Sequence, residues 1–430
     1  MQVIIIGNGV AGITAAITIR KLNPSCSITI ISAESEHFYS RTALMYVYMG
    51  HMRYKNIKPY EDWFWPEQKL KLIQGLVTNI DFEQKEVLLQ NGTRLSYTKL
   101  LISTGSKPNA LGIAGEKLAG VQGLYSLQDL KDLEQNSAKV QRAVVVGGGL
   151  IGIELAEMLY TRCIPVTFLV REQHYWGNVL PAQEGELIQK HIREHKVDLQ
   201  LNTRLLEIIP DKSGWVKAVK IDKSDIINCD LLLLAIGVRP NINFLKESAL
   251  ETDLGILVNR YLETNIPDVY AAGDCAQFRS ETPDRRNIEQ LWYTGRMQGE
   301  TVAYTICGQR KPYERGIWFN SAKFFDIEYQ TYGFVPARPV AGEQSLVWQH
   351  PQHKKLIRIN YRTENMAVVG FNLLGIRYRH EVCDRWIKEK RDIRYVLQHL
   401  PEANFDPELS RRYEKEIIRE FNRQLTAVIT

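Results

Sequence analysis

Three glycines near the amino terminus have the spacing of a turn that binds a pyrophosphate. Gly7, Gly9 and Gly12 lie in the segment MQVIIIGNGVAG, directly after a run of β-branched residues and directly before a helical pattern. In such a strand, turn and helix, the first glycine permits the sharp turn, the second lets the backbone approach a pyrophosphate, and the third lets the helix pack on the strand. The phosphates then face unpaired N–H groups at the positive end of the helix. One such motif alone is weak evidence.

The same spacing occurs a second time in the chain. Gly147, Gly149 and Gly152 follow the run VVV and precede a helical pattern and the strand VTFLV. The first copy closes on LISTGSKPN and the second on LLAIGVRPN, so an apolar strand runs into Gly105 or Gly237 and then into proline and asparagine. An internal repeat of this kind predicts two dinucleotide-binding folds in one chain.

An acid near the end of the second strand of such a fold usually accepts hydrogen bonds from the adenosine ribose. Ser32 and Val170 hold that position here, and Glu34 and Glu172 follow two residues later. We therefore expect the ribose-binding acid of both sites to lie two residues after the usual position. Glu172 would repel a 2′-phosphate and favours NADH, whereas the neighbouring Arg171 would accept one and favours NADPH. Of the two, NADH is preferred.

A third strand signal, PDVYAAGD, ends at Gly273 and Asp274. Ligands bind at the carboxyl ends of parallel strands, so Asp274 is a candidate contact to a ribityl or phosphate group. A cap on a following helix is an equal alternative.

The totals describe an ordinary globular protein of two or three domains, with 430 residues, 44% hydrophobic and 24% charged residues and a net charge of +5. The chain has no long run of one charge sign, so the charge pattern does not indicate nucleic-acid binding. The six cysteines lie far apart without metal-like spacing and are interpreted as free thiols of a reducing compartment. Neither a signal peptide nor an apolar run of the ~20 residues that a membrane span needs is evident, and a cytoplasmic protein is expected.

One motif is interpreted as a decoy. His191 and His195 stand one helical turn apart with Glu194 between them, the spacing of an inverted zinc-protease motif. No third ligand is evident, and the segment falls on the helix expected to cover the second nucleotide fold. We therefore predict an exposed helix face and no metal.

The composition changes from Gly316 onward. FFDIEYQTYGFV, LIRINY and MAVVGFNLLG alternate as antiparallel strands, and the last ~50 residues have charged helical patterns. The predicted fold class is α/β, with two Rossmann-like dinucleotide-binding domains, the second inserted in the first, and an α+β C-terminal domain. The expected bounds are 1–112 and 244–316 for the first dinucleotide-binding domain, 113–243 for the inserted second one, and 317–430 for an α+β interface domain.

Together, the two glycine motifs, the closing strands in STGSKP and AIGVRP, and VYAAGD resemble the FAD- and NAD(P)H-dependent flavoproteins with the pyridine nucleotide disulfide reductase fold. Within that family the stretch FYSRTAL is similar to the NADH:rubredoxin reductases, the oxygenase-linked ferredoxin reductases and the flavin domain of the nitrite reductase large subunit. The resemblance covers about residues 1 to 335. It implies that the first fold holds FAD and the second holds the nicotinamide cofactor.

The resemblance also implies roles for single residues. Arg41 would bind the FAD pyrophosphate, Asp274 the ribityl chain, and Trp292 would line the flavin. Glu154 would lie near the nicotinamide, and as a first-turn acid it would also favour the helix dipole. The predicted catalytic residues are thus Glu154 and Trp292, and the predicted cofactor-binding residues are Gly7, Gly9, Gly12, Glu34, Arg41, Thr104, Gly105, Gly147, Gly149, Gly152, Glu172, Gly237, Gly273 and Asp274.

At several positions this sequence departs from the family pattern, and these departures exclude some of the reactions of the family. Arg41 stands where the NADH oxidase, peroxidase and coenzyme A disulfide reductase branch has a redox cysteine, and no CxxxxC pair is present. A thiol relay and a disulfide substrate are therefore not expected. Tyr46 replaces a lysine of the ferredoxin reductases, and Ser321 replaces a tryptophan that stacks on the nicotinamide, which leaves the electron acceptor open.

The expected function is an FAD-dependent oxidoreductase that accepts hydride from NADH, with NADPH as the alternative, and passes electrons to a redox protein such as rubredoxin or ferredoxin. Two alternatives remain: an oxidase or diaphorase that uses oxygen or quinone, and a flavoprotein with mainly a binding or signalling role. The expected partners are the nicotinamide nucleotide and the redox protein, without nucleic acid or a membrane span, and a homodimer is left open.

Overall fold

The computed structural model describes residues 1–280, 287–406, 408 and 411–429. The chain divides into two compact units. The first unit consists of residues 1–111, 123–138 and 236–315, and the second unit of residues 112–122, 139–235 and 316–430.

The strands of the amino-terminal half are β1 (Gln2–Ile6), β2 (Ser27–Ser32), β3 (Leu70–Gln74), β4 (Val77–Asp81), β5 (Glu86–Leu89), β6 (Arg94–Ser96), β7 (Lys99–Ile102), β8 (Ser106–Pro108), β9 (Val121–Gln122), β10 (Ala143–Val146), β11 (Val166–Leu169) and β12 (Asp198–Gln200). Those that follow are β13 (Leu205–Pro210), β14 (Val216–Ile221), β15 (Ile226–Asn228), β16 (Leu231–Leu234), β17 (Val238–Pro240), β18 (Ile256–Val258), β19 (Val269–Ala271), β20 (Ala276–Phe278), β21 (Phe319–Phe324), β22 (Ile327–Gly333), β23 (Glu343–Gln349), β24 (Leu356–Arg362) and β25 (Val368–Leu374).

The α-helices are α1 (Val10–Leu22), α2 (Leu44–Tyr48), α3 (Phe64–Glu67), α4 (Leu127–Ser137), α5 (Leu150–Thr161), α6 (Ala182–Glu194), α7 (Trp292–Ile306), α8 (His380–Lys388), α9 (Ile393–His399) and α10 (Glu414–Ile429). Short 3₁₀ helices span Arg41–Ala43, Tyr54–Ile57, Asn243–Leu245 and Leu400–Ala403. In the described part of the chain, no helix combines the length and the apolar character needed to cross a membrane.

A parallel five-stranded sheet forms the centre of the first unit, in the order β19-β7-β1-β2-β3. The apolar residues of β1, Val3 to Ile6, are buried on both faces, as expected for the central strand of a parallel sheet. Helix α1 follows β1 and packs on α7. The two helices approach closely at Gly299, where an added Cβ would lie 2.3 Å from the backbone oxygen of Ala11.

A second parallel sheet in the second unit has the order β12-β11-β10-β16-β9. Its central strand β10 again leads into a glycine turn and then into helix α5. In each sheet the strand after the first helix lies on one side of the central strand and the closing strand lies on the other. The predicted repeat of two Rossmann-like folds is therefore confirmed.

The carboxyl-terminal part of the second unit is an antiparallel sheet in the order β21-β22-β25-β24-β23. Side chains of this sheet form one apolar core with side chains of α8, α9 and α10, with Phe371, Trp386 and Phe421 fully buried in it. The predicted strands are confirmed as β22, β24 and β25. The pattern missed β21 and β23, which bury only one and two side chains and so lack a clear alternation.

Residues 316–430 thus fall in the same compact unit as residues 139–235. The predicted division into 1–112, 113–243, 244–316 and 317–430, with the last segment as an interface domain, stays a prediction.

Candidate functional site

The first glycine turn leaves room for a ligand at one glycine and none at the other two. Gly7 has a φ of +109°, and an added Cβ would lie 2.1 Å from the backbone oxygen of Ser103. A Cβ on Gly12 would lie 2.1 Å from the backbone oxygen of Gly7. Gly9 has no atom within 4 Å of an added Cβ, and it begins α1 without a side-chain cap. The open, uncapped amino terminus of α1 therefore suits an anion such as a pyrophosphate.

The second glycine turn has the same construction. Gly147 has a φ of +119°, and a Cβ on Gly152 would lie 2.0 Å from the backbone oxygen of Gly147. Gly149 begins α5 without a side-chain cap and has no atom within 4 Å of an added Cβ. The hydroxyl of the fully buried Tyr175 donates a hydrogen bond to the backbone oxygen of Gly149 at 3.4 Å, which fixes this turn from the side of the protein.

The structure brings together Glu34 and Arg41, which the sequence assigned to separate parts of a dinucleotide. Arg41 Nη2 lies 2.7 Å from Glu34 Oε2, and the Leu127 backbone N–H donates to Glu34 Oε1 at 3.1 Å. The Tyr39 hydroxyl donates to the same carboxylate oxygen. Burial alone would raise the pKa of Glu34, but the hydrogen bond and charge of Arg41 hold that pKa below its ordinary value. Glu34 is thus a carboxylate at neutral pH.

Tyr125 connects this pair to Asp274. The Arg41 guanidinium donates to the backbone oxygen of Tyr125 and lies 4.2 Å from the centre of its ring. The Tyr125 hydroxyl accepts a hydrogen bond from the Ser106 backbone N–H at 3.1 Å, and the Ser106 hydroxyl donates to Asp274 Oδ2 at 2.8 Å. Sequence reasoning missed Ser106 and Tyr125. Ser106 stands directly after Gly105 in the repeated closing segment, which was an available signal, whereas Tyr125 had none.

Asp274 follows β19, three residues after that strand ends at Ala271. The alternative of a helix cap is wrong, because the next element is strand β20. Burial raises the pKa of Asp274. The preceding Gly273 has a φ of +81°, and its N–H donates to Oε1 of the buried Gln298 on α7 at 2.8 Å. Gln298 therefore fixes the turn that carries Asp274.

The two closing segments of the repeat pair with each other. Strands β8 and β17 are antiparallel, and each follows a glycine with positive φ, +67° at Gly105 and +93° at Gly237. The Thr104 hydroxyl donates to the backbone oxygen of Asn241 at 2.8 Å. Thr104, Gly105 and Gly237 are thus brought together in the first unit.

Trp292 begins α7 and is 36% exposed. Its ring packs edge to face on Tyr293, and the Arg296 guanidinium lies 5.9 Å from its centre. The exposed part of the indole is open to a ligand, and the role at the flavin stays a prediction.

Glu154 lies in the first turn and a half of α5, half-buried. Burial, and secondarily the negative charge of Glu157, raises the pKa of Glu154 to about 7. Glu157 has its own counter-charge, since Lys323 Nζ lies 2.8 Å from its Oε1. Glu154 therefore changes charge near neutral pH, a property common at functional sites.

Glu172, the predicted ribose-binding acid of the second fold, accepts hydrogen bonds from neighbouring side chains. Val170, at the usual acid position, is fully buried against Gly148, where an added Cβ would lie 2.7 Å from the valine. Glu172 Oε1 accepts hydrogen bonds from Arg171 Nε at 2.8 Å and Asn178 Nδ2 at 3.3 Å. In the first fold, Ser32 is likewise buried. The roles of Glu34 and Glu172 at the ribose stay predictions.

The interpretation of His191 and His195 as an exposed helix face is wrong. His191 is fully buried, and Asp326 Oδ1 lies 2.5 Å from its Nε2. The pattern could not show this contact, because Asp326 belongs to the turn between β21 and β22, far along the chain.

All six cysteines are free thiols. Cys275 adjoins Asp274, and burial raises the pKa of its thiol to about 11. It is therefore protonated at neutral pH and is a poor nucleophile.

Sequence similarity to the family described as pyridine nucleotide-disulphide oxidoreductase extends over residues 1–299. The chain belongs to this family. It is 34% identical over 283 residues to a rubredoxin-NAD(+) reductase of Acinetobacter baylyi, which is 64% of this chain and 72% of that protein. It is 30% identical over 336 residues to a nitrite reductase [NAD(P)H] of Bacillus subtilis, which is 77% of this chain. The chain spans only 41% of the length of that second relative.

The solved structure of an NAD-dependent persulfide reductase from A. fulgidus has the same fold, with a TM-score of 0.87 and 23% sequence identity. The likeness covers 99% of this chain and 83% of the other. The resemblance inferred from the glycine motifs is thus confirmed, and the protein is an NAD(P)H-dependent flavoprotein oxidoreductase with FAD as its cofactor.

Proposed function

We propose that this oxidoreductase takes hydride from NADH and delivers electrons to a small redox protein such as rubredoxin or ferredoxin. FAD, when bound, supplies the chemistry, because its ring accepts a hydride and releases electrons one at a time. The observation that carries the proposal is the pair of matching glycine turns, each at the carboxyl end of a central parallel strand and each with an uncapped helix behind it.

The first unit fits FAD. The open amino terminus of α1 at Gly9 would bind the pyrophosphate, together with Arg41, whose planar guanidinium can bind phosphate oxygens in pairs. The half-buried Glu34 carboxylate would accept hydrogen bonds from the adenosine ribose. Asp274, held by Ser106, would contact the ribityl chain, and the exposed edge of Trp292 would lie against the flavin.

The second unit fits the nicotinamide cofactor. The amino terminus of α5 at Gly149 would bind its pyrophosphate, and Glu154 on the same helix would contact the nicotinamide. Glu172 is 22% exposed and Arg171 is 73% exposed, and the two are joined by an ion pair. Glu172 therefore offsets the charge that would attract a 2′-phosphate, which supports NADH over NADPH.

A redox protein as acceptor is supported by two observations. The relative in Acinetobacter baylyi is a rubredoxin-NAD(+) reductase. Cys275, which follows the predicted flavin contact Asp274, is buried and its thiol has a raised pKa, so a thiol relay to a disulfide substrate has no support there.

Anaerobic mixing with NADH, and separately with NADPH, in a stopped-flow instrument tests the first half of the reaction. Flavin absorbance near ~450 nm, a property of the cofactor, should bleach faster with NADH. Glu172→Gln should reduce the preference for NADH, while Glu186→Gln, an exposed carboxylate on α6, should leave it unchanged. A flavin that neither nucleotide bleaches would contradict the proposal and favour a binding role.

The acceptor is tested by mixing the reduced protein with rubredoxin, with ferredoxin or with oxygen. The proposal expects rapid reoxidation by one of the two proteins and slow reoxidation by oxygen. Fast peroxide or water formation without a partner protein would show an oxidase instead.

A further inference from the structure

A cluster of three potential metal ligands lies within the second unit, apart from both glycine turns. His191, His195 and Asp326 each offer one ligand atom, and these atoms lie within 4.8 Å of one another. The two histidines come from the last turn and the cap of α6, and the aspartate comes from the tight turn between β21 and β22. Helix and hairpin therefore meet at these three side chains.

The spacing of the histidines places both rings on one face of α6. Residues four apart on a helix are neighbours, and the centres of the two rings lie 4.4 Å apart. The ring of His195 also stacks on Phe325, with centres 4.2 Å apart, and Phe325 precedes Asp326 in the hairpin turn. This stacking orients the His195 ring toward the aspartate.

His195 is oriented like a metal ligand. Its Nδ1 lies 3.0 Å from the backbone oxygen of His191. Because a carbonyl oxygen can only accept a hydrogen bond, Nδ1 must be the donor. A proton on Nδ1 leaves the lone pair on Nε2 available. Metal-binding histidines are commonly fixed in this way, with the second ring nitrogen donating to a carbonyl or carboxylate. His195 Nε2 lies 3.9 Å from Asp326 Oδ1.

His191 supplies the second indication. Its side chain is fully buried, and its Nε2 lies 2.5 Å from Asp326 Oδ1. The same aspartate oxygen lies 3.9 Å from His195 Nε2, so the three ligand atoms converge on one point. A buried imidazole nitrogen that faces a carboxylate and a second imidazole is suited to bind a cation.

The distances suit a cation between the three side chains. In a tetrahedral zinc site with bonds of about 2.0 to 2.2 Å, neighbouring ligand atoms lie about 3.3 Å apart. The two distances from Asp326 Oδ1, 2.5 Å and 3.9 Å, fall on either side of that value. The Asp326 side chain is 74% exposed and has room to shift between the two histidines.

Two further charges face the cluster. Glu194 Oε2 lies 3.8 Å from His191 Nδ1, on the side away from Asp326, and Lys354 Nζ lies 2.7 Å from the same Glu194 oxygen. The negative charge of Glu194 thus offsets the positive charge of Lys354, which would otherwise oppose a bound cation.

We propose that His191, His195 and Asp326 bind one divalent transition-metal ion, for which Zn²⁺ is the best match. Two neutral imidazole nitrogens and one carboxylate oxygen form a donor set that zinc accepts, with water as the fourth ligand. The ion would link the end of α6 to the β21–β22 hairpin, and so its role is structural rather than catalytic.

The test is Zn²⁺ titration of the full-length, FAD-containing protein by isothermal calorimetry, with Co²⁺ absorption as a second readout. We expect one Zn²⁺ per chain and visible Co²⁺ bands of a four-coordinate site. Asp326→Asn and His195→Gln should each weaken Zn²⁺ binding at least tenfold and remove the Co²⁺ bands. Because Asp326 is exposed, Asp326→Asn should fold, as circular dichroism and an unchanged FAD content would show.

The matched control is His399→Gln. His399 is also half-buried, its Nδ1 lies 2.8 Å from the backbone oxygen of Tyr395, and its ring stacks on that tyrosine. Binding should be unchanged in this variant. No saturable Zn²⁺ binding, or equal binding in wild type, Asp326→Asn and His195→Gln, would overturn the proposal. Loss of the bound Zn²⁺ in Cys163→Ser would assign it to that exposed thiol and would equally overturn it.

Discussion

Arg41 and Glu34 form an ion pair in which both guanidinium nitrogens, Nη1 and Nη2, face the carboxylate, at 3.2 Å from Oε1 and 2.7 Å from Oε2. The planar fork of arginine matches a carboxylate and a phosphate equally well. The Glu34 carboxylate therefore occupies one edge of the guanidinium and sets its direction, while the Tyr125 ring supports one of its faces. Any phosphate that Arg41 binds must share this guanidinium with Glu34.

The first prediction concerns this shared arginine. Arg41→Lys should weaken FAD binding by roughly 10- to 100-fold, because a hydrogen bond to a charged group contributes ~1.5 to 3 kcal/mol and lysine cannot replace the bidentate contact. The dissociation constant follows from the fluorescence of released FAD. Arg94→Lys is the control, since Arg94 pairs with Glu86 on an exposed strand edge. Equal FAD affinity in Arg41→Lys and Arg94→Lys would refute the role of Arg41.

The second prediction separates binding from packing in the first glycine turn. Gly12→Ala should destabilise the protein, because its Cβ would lie 2.1 Å from a backbone oxygen that cannot move aside. Gly9→Ala meets no atom within 4 Å, so the chain should fold, yet its methyl group would stand where the pyrophosphate approaches. Thermal unfolding and FAD content should therefore report different defects in the two variants. Full FAD content in Gly9→Ala would place the pyrophosphate elsewhere.

The sequence predicted the parts of this molecule that depend on local backbone geometry. The spacing of Gly7, Gly9 and Gly12 encodes a turn. Its repetition encoded a second sheet, in which β12-β11-β10-β16 repeat the order of β3-β2-β1-β7. The link from Arg41 to Asp274 through Tyr125 and Ser106 could not be predicted, because it joins positions distant in the chain by tertiary packing.

The same reason explains the wrong interpretation of the histidine pair. Helical spacing showed that His191 and His195 share a face, but it could not show which element covers that face. The hairpin that carries Asp326 begins with β21, a strand with weak alternation that the sequence pattern did not reveal.

The third prediction concerns a buried ion pair in the second unit. Glu184, in the first turn of α6, is fully buried, and its two carboxylate oxygens accept hydrogen bonds from Arg358 on β24 at 2.6 and 2.9 Å. Arg358→Met should lower the free energy of unfolding by about 3 to 5 kcal/mol, because it leaves a buried charge without its partner. Urea unfolding followed by circular dichroism measures the change.

The double variant Glu184→Gln/Arg358→Met provides the control for that prediction. It removes both charges, so it should be more stable than Arg358→Met alone, since the desolvation cost disappears with the pair. Glu184→Gln alone completes the comparison. If the changes in unfolding free energy of the two single variants summed to that of the double variant, the two side chains would not interact in the way that their distances indicate.

The last prediction follows from the pKa of about 7 at Glu154, which burial and then the charge of Glu157 produce. An unfolded glutamate has a pKa of about 4.3, so between these values the folded protein binds more protons than the unfolded chain. The free energy of unfolding must therefore fall as the pH rises from about 4.5 to 7, and this contribution stays constant at higher pH. Glu154→Gln cannot ionise and should escape the loss, which is on the order of 3 to 4 kcal/mol at pH 8. The urea midpoints of wild type and Glu154→Gln, measured at pH 5, 6, 7 and 8, should therefore diverge, with the variant more stable at high pH. The control is Glu186→Gln at an exposed position, whose midpoints should change with pH as those of wild type do. Parallel curves for Glu154→Gln would mean that this carboxyl is ionised throughout the range.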